Sequence, residues 1–217
     1  MVPGIAHHVT QQGNQCQQVF HCEEDYALYL DLMSERCRHN GVEAWAYCLM
    51  PNHVHLILVP TTVEGLSRAI GEAHRRYTAF INARARVTGH LFQSRFNSVA
   101  MDEPHLLAAI RYVAMTPVEA RLTRRPEEWS WSSVRAHLSG RDDALVTVAP
   151  IQARIPDFAA FLEGAPDIQR VSRLLSGQTI GRPLMSDEAL HALEQSIGRR
   201  LRVLPRGPKP KAGPAAG

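Results

Sequence analysis

The run Tyr47-Cys48-Leu49-Met50-Pro51-Asn52-His53-Val54-His55-Leu56-Ile57-Leu58-Val59-Pro60 constrains this chain more than any other stretch. Its apolar residues and closing proline predict a short buried strand over 53–59, entered by a Pro51-Asn52 turn from a strand over 42–49. Side chains on a strand alternate faces, so His53 and His55 leave the same face while Val54 packs behind them. Two imidazoles at that spacing can hold one divalent metal. They can equally be half-buried histidines satisfied by hydrogen bonds, and the spacing alone leaves both readings open. Asn52 stands at the strand entrance, where it can brace the turn or meet a ligand.

Around this hairpin the chain reads as alternating strands and helices. Residues 5–12 alternate weakly and predict a first strand, ended by Gly13-Asn14. Over 23–40, Tyr26, Tyr29, Leu30, Met33 and Cys37 recur at helical period, and Gly41 stops the helix. A long amphipathic helix follows over 63–87. Leu66, Ile70, Ala73, Tyr77, Phe80 and Arg84 share one face, and Arg68, Arg75, Asn82 and Arg86 the other. Aromatics between polar residues (Phe92, Gln93, Arg95, Phe96, Asn97) predict a strand over 90–99.

Asp102 can cap a further helix with Pro104 in its first turn, a core stripe of Leu106, Leu107, Ile110 and Val113, and Pro117 as its end. Tyr112 falls off that stripe, on a face with His105, Ala108, Ala109 and Thr116. There it either points at something or packs as an ordinary surface tyrosine. Residues 129–133 read as an aromatic-anchored turn opening a short helix, and 141–180 as loops and short helices. Ser186 caps a helix over 187–197 that Gly198 closes. A Pro/Gly/basic tail from Arg199 is expected to stay disordered until it meets a partner.

Strand, helix, strand, strand, helix, strand is the order of a ferredoxin-like fold. The class expected is α+β: an antiparallel sheet with helices on one face, plus a helical C-terminal extension. The expected units are a catalytic domain over 1–135, the extension over 136–198, and the tail over 199–217.

The formal net charge of +3 conceals a gradient. Residues 1–60 carry two arginines against six acids, residues 61–100 six arginines against two acids, and residues 199–211 six basic residues and no acid. A basic middle and tail suit a polyanion. The charge is almost all arginine, which suits bidentate phosphate and base contacts, although a compositional bias also explains part of that ratio. Cys16, Cys22, Cys37 and Cys48 show no C-x-x-C pairing, and no signal peptide is visible, so reduced thiols in the cytoplasm are expected. No apolar run approaches the roughly 20 residues that span a bilayer, so no membrane partner is expected.

A strand bearing His53 and His55, followed by a helix bearing Tyr112, can set a metal pair beside a phenol. That combination suits the breaking of a phosphodiester. A divalent cation neutralises and orients the phosphate, and a tyrosine oxygen attacks to leave a covalent ester whose bond energy is kept for rejoining. With a reference pKa of about 10, the phenol needs help in losing its proton, from the metal or from an activated water.

Six blocks carry a specific likeness: His8-Val9-Thr10 through Gly13-Asn14; Met50 through Leu56; Gly89-His90-Leu91-Phe92-Gln93-Ser94-Arg95-Phe96; Tyr112 through Pro117-Val118-Glu119-Ala120; Trp131-Ser132-Ser133; and Gly181-Arg182-Pro183-Leu184. In this order they resemble the IS200-like (Y1, HUH-type) transposase superfamily, and within it the REP-associated tyrosine transposases. The resemblance implies a transposase dependent on Mg2+ or Mn2+ that nicks and rejoins single-stranded DNA at repeat-derived hairpins through a 5′-phosphotyrosine. It assigns catalysis to Tyr112, His53 and His55. It assigns the metal to His53 and His55, with Thr116 where the family usually places asparagine. Imidazole ligands favour Mn2+ over Mg2+ on softness grounds.

Within matching blocks, Asn14, Gln93 and Arg95 are candidates for contacting DNA, while Arg75 and Arg86 can follow its backbone. Gln12 replaces the family's arginine before Gly-Asn, and a monomer is expected. Thr116 also raises an alternative, a domesticated protein that binds hairpin DNA with weakened or lost cleavage. A metal-dependent hydrolase with a structural Tyr112 is a third reading.

Overall fold

The computed structural model describes residues 1–198 and 200–202; apart from 200–202, the tail expected over 199–217 lies outside them. The elements are β1 (His7–Gln12), α1 (Glu23–His39), β2 (Val42–Met50), β3 (His53–Pro60), α2 (Gly65–Ala85), β4 (Asn97–Ala100) and α3 (Glu103–Glu119). They continue with α4 (Val134–Ser139), α5 (Ala149–Gln152), α6 (Phe158–Glu163), α7 (Ile168–Ile180) and α8 (Asp187–Ile197). The four strands form one antiparallel sheet in the order β2-β3-β1-β4, the ferredoxin-like arrangement expected.

Alternation on β3 divides the core in two. Val54, Leu56 and Leu58, with Val9 of β1, pack against Tyr29 and Met33 of α1 and Leu66, Ile70 and Tyr77 of α2. Ile57, with Ala46, Cys48 and Met50 of β2, faces Leu106, Ala109, Ile110 and Val113 of α3. Helices α1 and α2 therefore hold one face of the sheet and α3 crosses the other, so the expectation of helices on one face is corrected: α3 has an apolar stripe of its own, which buries against the opposite face. The later segments back α3 from outside: Ile151, Phe158, Leu162 and Leu174 of α5, α6 and α7 are buried in its core cluster.

The helix ends follow their side chains. Asp102 accepts from the His105 amide at 3.1 Å to start α3, and Ser186 accepts from Ala189 N at 3.2 Å to start α8. Gly198 closes α8 in the left-handed region, at φ 63°.

Four further expectations need correction. Residues 90–96 are a loop, and only 97–100 form a strand; the loop touches the end of β1 through isolated bonds (Asn14 N to Leu91 O and Gln93 N to Gln12 O, both 2.8 Å) and turns at Ser94, whose φ is 51°. Helix α3 runs past Pro117 to Glu119, because proline's φ is already helical and its missing N–H removes one bond without stopping the chain. On α2 the buried stripe ends on Ile81, and Phe80 is exposed.

Arg84, expected on the core face, instead makes a bidentate pair with buried Asp25 at 2.5 and 2.7 Å, tying the end of α2 to the start of α1. All four cysteines are free thiols. Among the described residues, no helix is long and apolar enough to cross a membrane.

Candidate active site

Register places the histidines. On β3, His53 lies opposite Gln12 of β1 and Met50 of β2, and His55 opposite Thr10 and Cys48. Both imidazoles emerge on the α3 side of the sheet, with ring centroids 4.9 Å apart and planes at 90°. Tyr112, half-buried on α3, meets the His55 ring edge-on with centroids 5.3 Å apart. A strand and a helix thus bring together the three residues singled out from the sequence, although Tyr112 lies 57 positions after His55.

A third imidazole was not foreseen. His8 of β1 is fully buried, and its Nε2 lies 3.1 Å from His55 Nδ1 with the rings stacked at 5.2 Å. Its ring also meets Tyr112 edge-on at 6.3 Å. The one local signal was alternation along β1, which puts His8 on the face of Thr10 and Gln12. Only the sheet order reveals that this face adjoins His55.

The electrostatics keep the imidazoles neutral. Burial lowers the His53 pKa; burial, then His8 and His53 as neighbours, hold that of His55 well below the usual histidine value. Burial takes His8 down to about 3. Neutral imidazole is the form that ligates metal. His53 Nδ1 is 2.7 Å from Asn52 Oδ1. His55 Nε2 is buried and, among the described residues, has no hydrogen-bond partner. Such an orphaned nitrogen fits a cation and costs free energy without one. No group of three or more His, Cys, Asp or Glu side chains among the described residues is arranged to hold a metal ion, so this chain offers an imidazole pair rather than a closed cage.

Burial first, and then Glu119 and Cys48, raise the Tyr112 pKa above the usual tyrosine value, so its proton is held more firmly than in water. Thr116 is buried one turn along, where its hydroxyl donates to the Tyr112 carbonyl at 2.8 Å. The hydrogen of that hydroxyl is thus committed to the helix backbone.

The candidate DNA contacts separate into three places. Asn14 and Gln93 gather at the His53 end of the sheet, where Gly13 N bonds Asn52 O at 2.8 Å and Gln93 N bonds Gln12 O. Arg75 and Arg95 line a groove of about 470 Å3 between α2 and the 90–96 loop, with His90, Phe92 and Phe96. That groove lies on the opposite side of the sheet from Tyr112. Arg75 is held there by Glu72 at 2.7 Å. Arg86 lies outside the groove, exposed at the left-handed end of α2.

Comparison with known proteins bears on this arrangement. The family model described as Transposase IS200 like matches residues 2–116, a span that contains the three histidines and Tyr112. A REP-associated tyrosine transposase, solved bound to a REP hairpin, superposes with a TM-score of 0.56 at 17% identity, covering 67% of this chain and 87% of that one. A candidate transposase from Deinococcus radiodurans R1 aligns at 20% identity over 56% of this chain and 89% of that one, with a TM-score of 0.39. No curated protein matches the sequence.

Proposed function

The chain belongs to the family of IS200-like transposases, and from that premise we propose that it cuts and rejoins single-stranded DNA beside repeat-derived hairpins, with Tyr112 as nucleophile. The observation that carries the reading is the packing of the Tyr112 ring against His55 across the α3–β3 interface. Of the structures that share the fold, one was solved on a REP hairpin, which supports hairpin DNA as the substrate class.

In this reading residues 1–135 carry the chemistry, and the helices over 136–198 back the tyrosine helix. His53 and His55 would hold a divalent ion, Mg2+ or Mn2+, which when bound would supply charge neutralisation at the phosphate. The Tyr112 hydroxyl gives up its proton to a neighbouring water as its oxygen attacks phosphorus. A phosphotyrosine bond forms as the bond to the 3′ oxygen breaks, and the departing 3′ end takes up a proton as a free hydroxyl. Attack by a 3′ hydroxyl on the phosphotyrosine reverses the step, exchanging one phosphodiester for another with no need of ATP. Asn14 and Gln93 meet the strand near the His53 end, while Arg75, Arg86 and Arg95 follow phosphates of the hairpin. The protein acts as a monomer.

The test is to incubate the protein with Mn2+ and labelled hairpin DNA drawn from repeats flanking its own gene, then resolve it on a denaturing gel. A covalent protein–DNA band is expected from the native protein and none from Tyr112→Phe; an adduct in the phenylalanine variant overturns the assignment. Thr116, whose hydroxyl serves the helix, favours a second reading in which hairpins are bound and cutting is weak. Tight hairpin binding with no adduct from the native protein would select it.

A further inference from the structure

His8 lies outside the residues so far given a role, yet it meets a candidate metal ligand directly. Its Nε2 and His55 Nδ1 face each other at 3.1 Å inside the sheet, and the two residues are 0% and 4% exposed. Two neutral imidazoles can share one proton across such a contact in only two ways. If His8 donates, His55 carries its own proton on Nε2, the atom that is buried without a partner, and an orphaned N–H is left in the core. If His55 donates, its Nε2 becomes a bare lone pair.

The neighbouring histidine shows which arrangement suits the pair. Asn52 turns its amide oxygen to His53 Nδ1 at 2.7 Å, while its amide nitrogen points to the Cys16 carbonyl at 3.4 Å. An amide oxygen can only accept, so His53 is protonated on Nδ1 and its lone pair sits on Nε2. A metal-bound histidine is typically oriented by an acceptor on its other nitrogen.

We infer that His8 is the positioning residue of the metal pair: it accepts the Nδ1 proton of His55 and so fixes the tautomer in which Nε2 is a ligand, as Asn52 does for His53. His8 then carries its own proton on Nδ1. The role rests on the metal reading of His53 and His55 given above. It places part of the site's machinery on β1, two strands away from β2 in the sheet and forty-seven residues from the ligand it orients.

Two measurements separate the possibilities. Nitrogen-15 NMR of the metal-free protein reports which ring nitrogen of His55 bears the proton. Calorimetric titration with Mn2+ then compares the native protein with His8→Phe, which keeps a ring but offers no acceptor, and His8→Gln, which returns an acceptor. Expected are protonation of His55 at Nδ1, a loss of Mn2+ affinity of about 10- to 100-fold in His8→Phe, and substantial recovery in His8→Gln. A proton on His55 Nε2, or Mn2+ affinity kept within about twofold in a folded His8→Phe, overturns the positioning role while leaving the metal reading intact. Native protein that binds no Mn2+ overturns both. Should His8→Phe fail to fold, the NMR result on the native protein and the His8→Gln titration still decide.

Discussion

Tyr112 and His55 meet ring edge against ring face, 5.3 Å between centroids and 83° between planes. The tyrosine therefore serves as a packing residue as well as a candidate nucleophile, and the two duties respond differently to substitution. Tyr112→Phe keeps the ring and is expected to move the urea unfolding free energy by less than about 0.5 kcal/mol while abolishing any DNA adduct. Tyr112→Ala removes a half-buried ring and is expected to cost about 2 kcal/mol.

The imidazole pair predicts a specific loss and a specific gain. His53→Ala combined with His55→Ala should eliminate Mn2+ binding in a calorimeter. Thr116→Asn exchanges a hydroxyl committed to the helix backbone for an amide oxygen, a good hard-cation ligand, and should tighten Mn2+ severalfold. A Thr116→Asn protein with weaker affinity than the parent would show that residue 116 does not face the cation.

Asp25 has no exposed surface, and its carboxylate depends on Arg84 and on the His21 amide at 2.8 Å. Burial alone would raise its pKa; the Arg84 and His21 contacts bring it below the usual aspartate value. Arg84→Met strands that charge and should cost about 2–3 kcal/mol in urea unfolding, the guanidinium itself being only partly buried. The change lies at the α1–α2 junction, across the sheet from His53, His55 and Tyr112, so Mn2+ affinity should not move.

Acid should unfold the protein through its buried histidines. His7 is held down to about 4, by burial first and then by the nearby N-terminal amine, with the Ile5 carbonyl opposing; His8 is held to about 3. An unfolded histidine takes up its proton near pH 6.5. Between that value and about 4 the unfolded chain binds more protons than the folded one, so stability falls as pH falls. Urea midpoints at pH 7, 6 and 5 should decline in that order, and the decline should be shallower in His7→Gln.

The groove lined by Arg75 and Arg95 makes a prediction about salt. If each arginine meets one phosphate of a single strand, replacing it with alanine should lower the slope of log affinity against log salt by roughly 0.7. Fluorescence anisotropy with a labelled hairpin measures the slope. An unchanged slope in Arg95→Ala would remove that residue from the DNA path.

Much of this architecture was legible because local pattern and tertiary role coincide. The His53–Pro60 strand, its hairpin partner, the caps at Asp102 and Ser186 and the stop at Gly198 all follow from short-range chemistry. The errors arose where they diverge. Phe92 and Phe96 mimic strand alternation, yet both are anchors by which a loop docks on the α1–α2 core. Pro117 carries a stop signal that the last turn of a helix can absorb. Ile81 displaced Phe80 because α1 covers only part of the wide apolar stripe of α2. His8 was invisible for a different reason: its significance comes from β1 lying beside β3, a pairing that no window of sequence contains.

Strand β1 is hydrogen-bonded along both edges, to β3 and to β4, so it cannot shift without tearing the sheet. Tyr112 instead rides on α3, which leaves β4 through Met101 and Asp102 and packs on the sheet through Leu106, Ala109, Ile110 and Val113. The stiff partner is the one bearing the imidazoles, and the compliant partner is the one that would hold the severed DNA end. In the proposed reaction, any movement of the tethered strand relative to the imidazoles would therefore have to come from α3, whose Arg111 is tied to the Phe161 carbonyl of α6 at 2.8 Å.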